Sequence, residues 1–580
     1  MRKTLSIILS AIMLLSVVSI AVPVSAETPE GIAINTADEF LAMVSTPADA
    51  AEPTAKYYLA SDITLPGSYV EPFWGILDGN GKTVTVSAPM FNDFSGEVKN
   101  LTIKGEIVFQ DANAGAFTTL SSKAFKATNC TNNANVTVTG TGKWAAGFVA
   151  DCEETADACV FTNCVNNGNI YIDSVAKEKM RGGGFGGIID SVGFYNCTNN
   201  GNVYAKGNIP IVGGFVGRVA LNTPGTLCDA INCVNTGDIT ADDTYLIPNE
   251  DGTTSKGNAG ADAGGIFGYI GGDGNLGWYR VWGCVNEGKI DAPYRAGGFI
   301  GYAWASGTNA YADIQFCINK GDIIFGRTDA STEEKKTTNV DWGSPFVSYT
   351  NSDYTTIKYC IDVGTLTLRD GAVGARLNKV FVGHSSRNGA VYDIQSVYLL
   401  DKDQYTWFSW SSSNDYEANR NPISVGEGLI VTTLDEIKSG KVCYEIMQAA
   451  LADAYGYAGS DPDDGMDAYA FYQKIGTDAL PSIDPAAGWV VLNGTTYANG
   501  EKPVETEPEE TTKAPEDETT KAPEDETTVA PEGGDATNAP GTQAPTTDKA
   551  EEKKGCGGFV AGSVAIVAIL GTALIIKKRE

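Results

Sequence analysis

The chain has 580 residues, of which 42% are hydrophobic and 19% are charged. Its 72 acidic residues outnumber the 41 lysines and arginines, so the formal net charge is −31. A nucleic-acid partner requires a basic face to neutralise phosphates, and this composition argues against one. A chain of this length normally divides into several globular domains, but a solenoid of stacked repeats need not.

The first 26 residues are predicted to be a secretory signal peptide. Arg2 and Lys3 precede an apolar run that begins at Leu5, and the small residues up to Ala26 fit a cleavage site. The body of the protein is therefore expected to be exported.

Residues 27–430 are predicted to form one body of short stacked strands, opened by a helix. Thr36-Ala-Asp-Glu39 has the pattern of a capping box, in which both side chains bond free amides at a helix start. Phe40 and Leu41 give this helix an apolar face. Such a helix can cover the open end of the first coil and hide its unpaired strand edges.

A seven-residue pattern close to Cys-x-Asn-x-Gly-x-Ile occurs seven times along this body. Its copies lie 33 to 51 residues apart, and such internal repetition is typical of stacked supersecondary units. Each cysteine would then stack on the cysteine of the next coil. The cysteines of this predicted column are Cys130, Cys164, Cys197, Cys233, Cys284, Cys317 and Cys360.

Each repeat contains three short extended runs, which predicts an all-β coil of triangular cross-section. One run follows the repeat glycine, the second is a Gly-Gly-Phe-x-Gly element, and the third leads into the cysteine. The residue two positions after the cysteine is asparagine in six copies and Asp362 in the last. Asparagine and glycine accept left-handed backbone at corners, and stacked amides can bond one another along the axis.

Twelve cysteines in an exported chain raise the question of disulfides. Parallel side chains on coils ~4.8 Å apart lie within reach of one another but rarely meet the dihedral angle of a disulfide. The column cysteines are therefore predicted to be free thiols that pack as small hydrophobic groups. Cys152, Cys159 and Cys228 lie off the column and are better disulfide candidates.

Aromatic residues gather around the coil that follows the polar insertion 242–262. Exposed rings on a rigid surface can hold the C–H faces of sugars, so this group is a candidate glycan-binding platform, although packing in a core or lid is the alternative. The insertion is the loop most suited to meet a partner. The candidate ligand-binding residues are Trp278, Tyr279, Trp282, Tyr302 and Trp304.

Residues 431–500 are predicted to form a C-terminal capping region. Thr433-Leu-Asp-Glu436 is a second capping box, and it opens a predicted helix that runs to about Tyr455. Ile437 is among the apolar positions of this helix. The helix would form a lid over the far end of the solenoid.

An acidic loop follows this helix and is the candidate metal site. Asp461, Asp463 and Asp467 surround a glycine at alternate positions, which partly resembles an EF-hand calcium loop. The loop lacks the glutamate at the twelfth position, and an ordinary acidic turn is the alternative. Ca²⁺ is the one cofactor that the sequence suggests.

The remaining residues predict a stalk and an anchor. Residues 501–554 are acidic and rich in threonine, proline and glutamate, so they cannot bury enough apolar surface to fold and are predicted to be a disordered stalk or linker. Residues 555–580 contain an uncharged run long enough to cross ~30 Å of hydrocarbon as a helix. The basic residues after it place the C-terminus in the cytoplasm.

With these elements in place, the chain resembles bacterial cell-surface proteins with right-handed parallel β-helix bodies, namely pectate-lyase-like solenoids and adhesins built from GLUG-type repeats. The repeat motif, the Gly-Gly-Phe-x-Gly element and Gly75-Ile-Leu-Asp-Gly-Asn-Gly-Lys82 carry this resemblance over most of residues 30–500. The segment 471–484 is similar to closing segments of such proteins from gut anaerobes, and the tail to clostridial anchors. The resemblance implies a gut Firmicute source and a single right-handed parallel β-helix.

Parallel β-helices also include lyases and hydrolases, so an enzyme has to be weighed. Polygalacturonase-like hydrolases carry a Gly-His-Gly and an Arg-x-Lys beside clustered aspartates, but His384 is the only histidine and no suitable Arg-x-Lys follows it. Lyases need a basic residue beside calcium-binding carboxylates. Arg181, Arg218, Arg280 and Arg295 lie near strands without a recurring acidic cluster, so no catalytic residue is assigned.

The sequence therefore favours a membrane-anchored cell-surface protein that binds an extracellular glycan or another surface protein, as an adhesin does. Two alternatives stay open. The first is a polysaccharide lyase or glycoside hydrolase that acts on uronate-rich glycans, and the second is a structural component of the envelope.

Overall fold

The computed structural model describes residues 29–456, 471–473 and 478–483, with internal gaps of which 329–339, 401–408 and 412–427 are the longest. The predicted signal peptide, stalk and anchor lie outside the described residues, as does the acidic loop with Asp461, Asp463 and Asp467. Within the described part of the chain, no helix has the length and apolar character needed to cross a membrane.

The repeats fold into a parallel β solenoid, as predicted. Each strand of a coil pairs in parallel with the equivalent strands of the coils before and after it, so that Ile170, Val203 and Ile239 occupy one column of the sheet. The strands fall into four parallel stacks, called here sheets 1 to 4 in the order in which a coil visits them after its cysteine. Phe91–Lys99 belongs to both sheet 3 and sheet 4.

The strands of the four sheets have the following bounds. Sheet 1 consists of Ile63–Thr64, Thr83–Val86, Thr102–Gln110, Thr131–Gly140, Val165–Asn166, Ile170–Ser174, Thr198–Asn199, Val203–Lys206, Val234–Asn235, Ile239–Asp242, Val285–Asn286, Ile290–Ala292, Ile318–Asn319, Ile323–Phe325, Ile361–Asp362, Leu366–Leu368, Val397–Leu399 and Leu429–Val431. Sheet 2 consists of Ala114–Gly115, Trp144–Ala146, Arg181–Gly183, Ile211–Gly213, Asp262–Gly264, Arg295–Gly297, Val340–Ser344 and Arg376–Lys379. Sheet 3 consists of Thr118–Leu120, Val149–Cys152, Gly186–Ile189, Val216–Val219, Phe267–Gly272, Ile300–Ala305, Val347–Thr350, Val382–Ser385 and Ser409–Ser411. Sheet 4 consists of Ile32–Ile34, Lys56–Leu59, Phe73–Asp78, Phe91–Lys99, Phe125–Thr128, Cys159–Thr162, Val192–Tyr195, Leu227–Ile231, Trp278–Trp282, Tyr311–Gln315, Tyr354–Lys358 and Val391–Gln395.

The glycine-rich run is two strands rather than the single predicted strand. In one coil, Arg181–Gly183 belongs to sheet 2 and Gly186–Ile189 to sheet 3, with a corner at Gly184 and Phe185. The corner is tight because a Cβ atom on Gly184 would lie 2.2 Å from Oδ1 of Asn199. The next residue of this corner, Phe185, points into the core instead, where it stacks on Phe215 with ring centroids 4.8 Å apart.

The seven repeat cysteines form one column inside the solenoid, as predicted. The carbonyl of each of the first six cysteines accepts a hydrogen bond from the residue after the next cysteine, as from Val165 to Cys130 at 2.9 Å and from Thr198 to Cys164 at 2.9 Å. All seven are free thiols with at most 1% exposure. Cys152, Cys159 and Cys228 are buried as well, and none of them forms a disulfide, in contrast to the disulfides considered for them.

The column thiols are expected to be unreactive in the folded protein. A thiol is nucleophilic as the thiolate, and burial raises the pKa of Cys197, Cys233 and Cys284. Hydrogen bonds with Cys130 and Cys197 lower the pKa of Cys164 to about 4, but all the column thiols are enclosed, with at most 1% exposure, so a polar reagent cannot reach them. We expect a polar maleimide to leave these thiols unlabelled in buffer and to label them fully in denaturant, as read by mass spectrometry of peptides. Labelling in buffer at the rate of a free cysteine peptide would contradict a closed column.

The repeat asparagines form the predicted amide ladder beside the thiols. Nδ2 of each donates to Oδ1 of the next at 2.8 to 2.9 Å and to the carbonyl oxygen two residues ahead in its own coil. Every amide of the ladder is therefore paired although all are buried. The ladder runs through Asn132, Asn166, Asn199, Asn235, Asn286 and Asn319 and ends on Asp362.

The left-handed corner lies at a different residue from the predicted one. The repeat asparagines and glycines have negative or extended backbone angles, whereas the residue just before each column position has φ between 51° and 61°. Glycine is needed four residues after the cysteine because the coils approach closely there, and a Cβ on Gly237 would lie 2.0 Å from the carbonyl oxygen of Gly201. The left-handed residues are Asn129, Asn163, Asn196, Asn232, Gly283, Phe316, Tyr359 and Ser396.

The N-terminal helix forms at the predicted residues, but of its two predicted apolar positions only Phe40 is buried, since Leu41 is 37% exposed. Helix α1, Ala37–Leu41, begins with a capping box in which Thr36 and Glu39 bond each other's backbone amides. Phe40 is fully buried, with its ring centroid 5.2 Å from that of Phe91. The helix thus closes the hydrophobic core at the first coils.

The C-terminal segment is helical as predicted, but it forms two helices instead of one and lies elsewhere. Thr433 and Glu436 cap helix α2, Leu434–Lys438, and Gly440 with φ of +83° separates it from helix α3, Lys441–Gly456. Both helices pack on the outer side of sheet 1, since Ile437, Val442 and Ile446 share one buried cluster with apolar residues of four successive coils. These residues are Val285, Ile318, Ile361 and Tyr398. The helices therefore cover a side of the solenoid and not its end.

Two antiparallel hairpins complete the fold. Leu246–Pro248 pairs with Thr254–Lys256 inside the predicted insertion. Phe471–Tyr472 pairs with Ser482–Ile483, and Gln473 donates a hydrogen bond to the Ile437 carbonyl at 2.8 Å. The second hairpin thereby holds helix α2 in place.

Candidate functional site

Sheets 2 and 3 bring a group of aromatic and basic side chains together. Successive coils place Arg218, Tyr269, Tyr302 and Tyr349 in one column of sheet 3. The neighbouring column of sheet 2 contains Arg295 and Trp342 in adjacent coils. We call Arg218, Tyr269, Arg295, Tyr302, Trp304 and Tyr349 the aromatic–basic patch.

The rings of the patch touch along the solenoid axis. The ring centroid of Tyr302 lies 5.0 Å from that of Tyr269, 5.3 Å from that of Tyr349 and 6.0 Å from that of Trp304. These separations are typical of favourable aromatic pairs. Trp304 is 39% exposed, so a ring at the edge of a rigid aromatic row faces solvent.

Arg295 holds the patch together from its centre. Its guanidinium carbon lies 3.6 Å from the ring centroid of Tyr302 and 5.2 Å from that of Tyr349. Nη1 of Arg295 is 3.3 Å from Oδ1 of Asp262, in the preceding coil of sheet 2. A buried guanidinium is tolerated when a carboxylate and aromatic faces surround it, and the rings are fixed in return.

The carboxyl group of Asp262 is unusual for an aspartate. Its burial raises its pKa to about 7, although Arg295 and Lys179 act in the opposite direction. A carboxyl group that titrates near neutrality beside cationic side chains is typical of a functional site.

Lys179 is a second cation that acts on this carboxyl group. Its side chain is accessible to solvent, but partial desolvation and the charges of Arg181, Arg218 and Arg295 lower its pKa. Arg218 also lies over the ring of Tyr269, with its guanidinium carbon 5.7 Å from the centroid. Arg181 lies three rungs, and Arg218 two rungs, before the coil that contains Trp304.

The structure separates the five aromatic residues that the sequence grouped. Tyr302 and Trp304 belong to the patch on sheet 3. Tyr279 and Trp282 lie on a strand of sheet 4, where Tyr279 is 2% exposed and its hydroxyl lies 3.0 Å from that of Thr350. Tyr279 is thus a core residue. Trp278 begins the same strand, and its side chain lies outside the described part.

Trp282 has a different environment from Trp304. Its ring centroid is 5.2 Å from the guanidinium carbon of Arg280. Arg280 in turn makes two hydrogen bonds to Asp229, at 2.8 and 2.6 Å. Arg280 therefore forms an ion pair with Asp229 on sheet 4 and does not belong to the group of cations around Lys179.

Tyr269, Tyr349 and the role of Arg295 were not predicted from the sequence. A signal was present, because Arg218, Tyr269 and Tyr302 each follow the last glycine of a Gly-Gly-Phe-x-Gly or Gly-Gly-Ile-Phe-Gly element. Residues at one repeat position stack in a solenoid. Aligning the repeats on that glycine would have placed these side chains in one column.

No metal or histidine site emerges from the described residues. Within them, no group of three or more histidine, cysteine, aspartate or glutamate side chains is arranged to hold a metal ion. The backbone of His384 lies in the strand Val382–Ser385 of sheet 3, and its side chain is outside the description. The first coils have a cavity of about 460 Å³ lined by Ile32, Val44 and Tyr57, which contains no comparable group of cations.

No protein-family model, curated protein or solved structure matches this chain. The fold defines the class as a parallel β solenoid with a buried ladder of asparagines. The aromatic–basic patch is its candidate functional site.

Proposed function

We propose that the protein is a cell-surface, right-handed parallel β-helix that binds an extracellular glycan through the aromatic–basic patch. The observation that carries this proposal is the half-exposed Trp304 ring beside the ordered row of Tyr269, Tyr302 and Tyr349. Aromatic rings offer a large contact area at low conformational cost. A signal peptide, an acidic stalk and a C-terminal anchor would present this surface outside the cell.

Rigidity of the scaffold supports a binding role. The rings lie on strands whose backbones are paired on both sides, and Arg295 fixes two of them by contact. A site that is already ordered loses less conformational freedom when a ligand binds. The solenoid therefore suits recognition of an extended ligand along several coils.

Replacing Trp304 by alanine is expected to weaken glycan binding by about tenfold, because truncating an aromatic contact of ~1.4 kcal/mol corresponds to that factor. The measurement is a glycan-array screen followed by titration of the best ligand. Trp282→Ala is the matched control, since it removes the same side chain from sheet 4 and should leave affinity unchanged.

Three outcomes would contradict this assignment. If only Trp282→Ala lost glycan affinity, the binding site would lie on sheet 4 and not at the patch. If Trp304→Ala bound glycan as tightly as the wild type, the patch would not take part in binding. Absence of glycan binding together with capture of a purified surface protein would favour a protein ligand.

A polysaccharide lyase or hydrolase is the second candidate function. It is favoured by Asp262, whose burial raises its pKa to about 7, next to Lys179, whose pKa is lowered chiefly by partial burial. A carboxyl group with a pKa of about 7 can accept or donate a proton near neutral pH. Incubation with uronate-rich polysaccharides would produce new unsaturated or reducing ends if the protein cleaves them, and intact chains would exclude this activity on them.

A further inference from the structure

The seven cysteines of the column are metal-ligating side chains that the proposed function does not use. Any small apolar residue can fill a buried position, but a thiol is also the ligand that soft metal ions prefer. All seven lie on successive coils, because the strands that follow them pair in register. All are at most 1% exposed. The interior of the solenoid therefore contains a continuous line of potential metal ligands.

The thiols of this line share one orientation. Sγ of Cys197 lies 3.4 Å from the carbonyl oxygen of Tyr195, two residues before it, and Sγ of Cys317 lies 3.2 Å from that of Gln315. The other five thiols make the equivalent contact at 3.0 to 3.4 Å. Side chains that share one orientation repeat with the spacing of the coils, so neighbouring Sγ atoms are separated by ~4.8 Å.

This spacing suits a metal ion that is held between two sulfur atoms. A bond between a metal and a thiolate is about 2.3 Å long, as for Zn²⁺, so a straight S–metal–S unit spans about 4.6 Å. Zn²⁺ itself takes four ligands, and the described residues contain no group of three or more histidine, cysteine, aspartate or glutamate side chains that could hold a metal ion. Cu(I) is soft, binds thiolates and accepts two ligands in a straight line.

We propose that neighbouring cysteines of the column bind Cu(I) as two-coordinate S–Cu–S units along the axis of the solenoid. For each ion, two S–H bonds break, their protons pass to solvent, and two S–Cu bonds form. The copper ion keeps its oxidation state, so no oxidant or reductant is consumed. The site lies in the core, and it neither uses nor requires the aromatic–basic patch.

The charge of each unit limits how many ions the column holds. One Cu(I) and two thiolates carry one negative charge, which is costly in a buried position unless hydrogen bonds reach it. A thiol is a weak donor, and a thiol left on the next rung can donate to a bound sulfur. Two units that border thiols on both sides fit the column. The pairs are Cys164 with Cys197 and Cys284 with Cys317, and the remaining thiols are Cys130, Cys233 and Cys360.

The ions are expected to enter while the coils assemble. The folded column is closed to solvent, and a pair of ligands from two coils exists only when both coils have formed. Metal binding is then coupled to folding. Cu(I) that is present during refolding should therefore be retained, whereas Cu(I) added to the folded chain should not.

The test is refolding of the full chain from urea, with a reductant and without oxygen, in buffer that contains Cu(I) or Zn²⁺. After gel filtration removes free metal, we expect about two copper ions per chain and at least about tenfold less zinc. X-ray absorption at the copper edge should show two sulfur neighbours for each ion. The comparison is the same chain folded first and then incubated with Cu(I).

Two triple variants separate adjacency from the number of thiols, since both leave four column cysteines. Cys164→Ala, Cys233→Ala and Cys317→Ala together leave no two cysteines on neighbouring rungs, so copper per chain should fall by about tenfold or more. Cys130→Ala, Cys317→Ala and Cys360→Ala together keep four neighbouring cysteines and should retain about one ion. Circular dichroism without metal shows whether each variant folds.

Several results would overturn the proposal. Equal copper in the two triple variants, more than two sulfur neighbours for each ion, or equal retention of Zn²⁺ would exclude two-coordinate Cu(I) in the column. Equal retention by the folded and the refolded chain would place the copper at accessible groups elsewhere. If the first triple variant does not fold, the number of sulfur neighbours and the comparison with Zn²⁺ in the wild type decide the outcome.

Discussion

Replacing Asn199 by leucine is expected to destabilise the solenoid by about 3 kcal/mol or more. Oδ1 of Asn199 accepts from Asn166, and its Nδ2 donates to Asn235 and to the carbonyl of Gly201, each at 2.8 Å. Leucine has a similar shape but leaves these three buried groups without their partner, at about 1–3 kcal/mol each. Urea unfolding followed by circular dichroism measures the loss.

The adjacent asparagine provides a control of the same residue type. Asn200 bonds Asn167 at 2.7 Å in a second ladder on the exposed side of the coil. Water can replace its amide, so Asn200→Leu should cost less than about 1 kcal/mol. Equal losses for the two substitutions would show that burial of the ladder does not govern stability.

Replacing Gly237 by alanine is expected to cost about 3 kcal/mol or more. The new Cβ would lie 2.0 Å from the carbonyl oxygen and 2.6 Å from the carbonyl carbon of Gly201. Both are backbone atoms of a neighbouring coil, so relief of the clash requires the coils to separate and the adjacent amide ladder to stretch. The measurement is the midpoint and slope of urea unfolding.

Gly67→Ala is the control for this substitution. No atom lies within 4 Å of the Cβ position at Gly67, and its φ lies outside the left-handed region. Alanine there should be neutral or stabilise by up to about 1 kcal/mol by reducing the freedom of the unfolded chain. If Gly237→Ala unfolded at the same urea concentration as Gly67→Ala, close approach of the coils would not explain the repeat glycine.

The internal order of the solenoid could be predicted from the sequence because it repeats. The thiol column and the amide ladder form because all coils share one register. The repeated motif shows this register in the sequence, since equivalent positions of successive copies stack on one another. The corner at Gly184 was harder to foresee, since a glycine run can continue as a strand or turn. What decides it is contact with Asn199 from another coil, which the local sequence does not show.

The residue before the repeat cysteine indicates in the sequence which coils helices α2 and α3 cover. The residue before the cysteine is asparagine in the first four copies, from Asn129 to Asn232, but Phe316 and Tyr359 occupy it later. Both aromatic residues belong to the cluster under the helices. The change from an amide to a large ring at one repeat position marks the coils that the helices cover.

The candidate site depends on contacts between repeats. Tyr302 was predicted as a ligand contact, but its neighbours Tyr269 and Tyr349 lie 33 and 47 residues away in the chain. They lie next to Tyr302 because the strands of adjacent coils pair in register, although the loops between those strands differ in length. Tyr279 was placed with them by closeness in sequence, although the pleat directs its ring into the core.

The shared register has a consequence for how this molecule can change in length. The segment from Cys197 to Asn232 forms one complete turn. The coils before and after it pair with it through the same repeat positions. Excision of such a segment would bring Cys164 against Cys233 and Asn166 against Asn235, and both lines of side chains would close without a break. A gene encoding this chain can therefore gain or lose whole turns by recombination while each surviving turn keeps its chemistry.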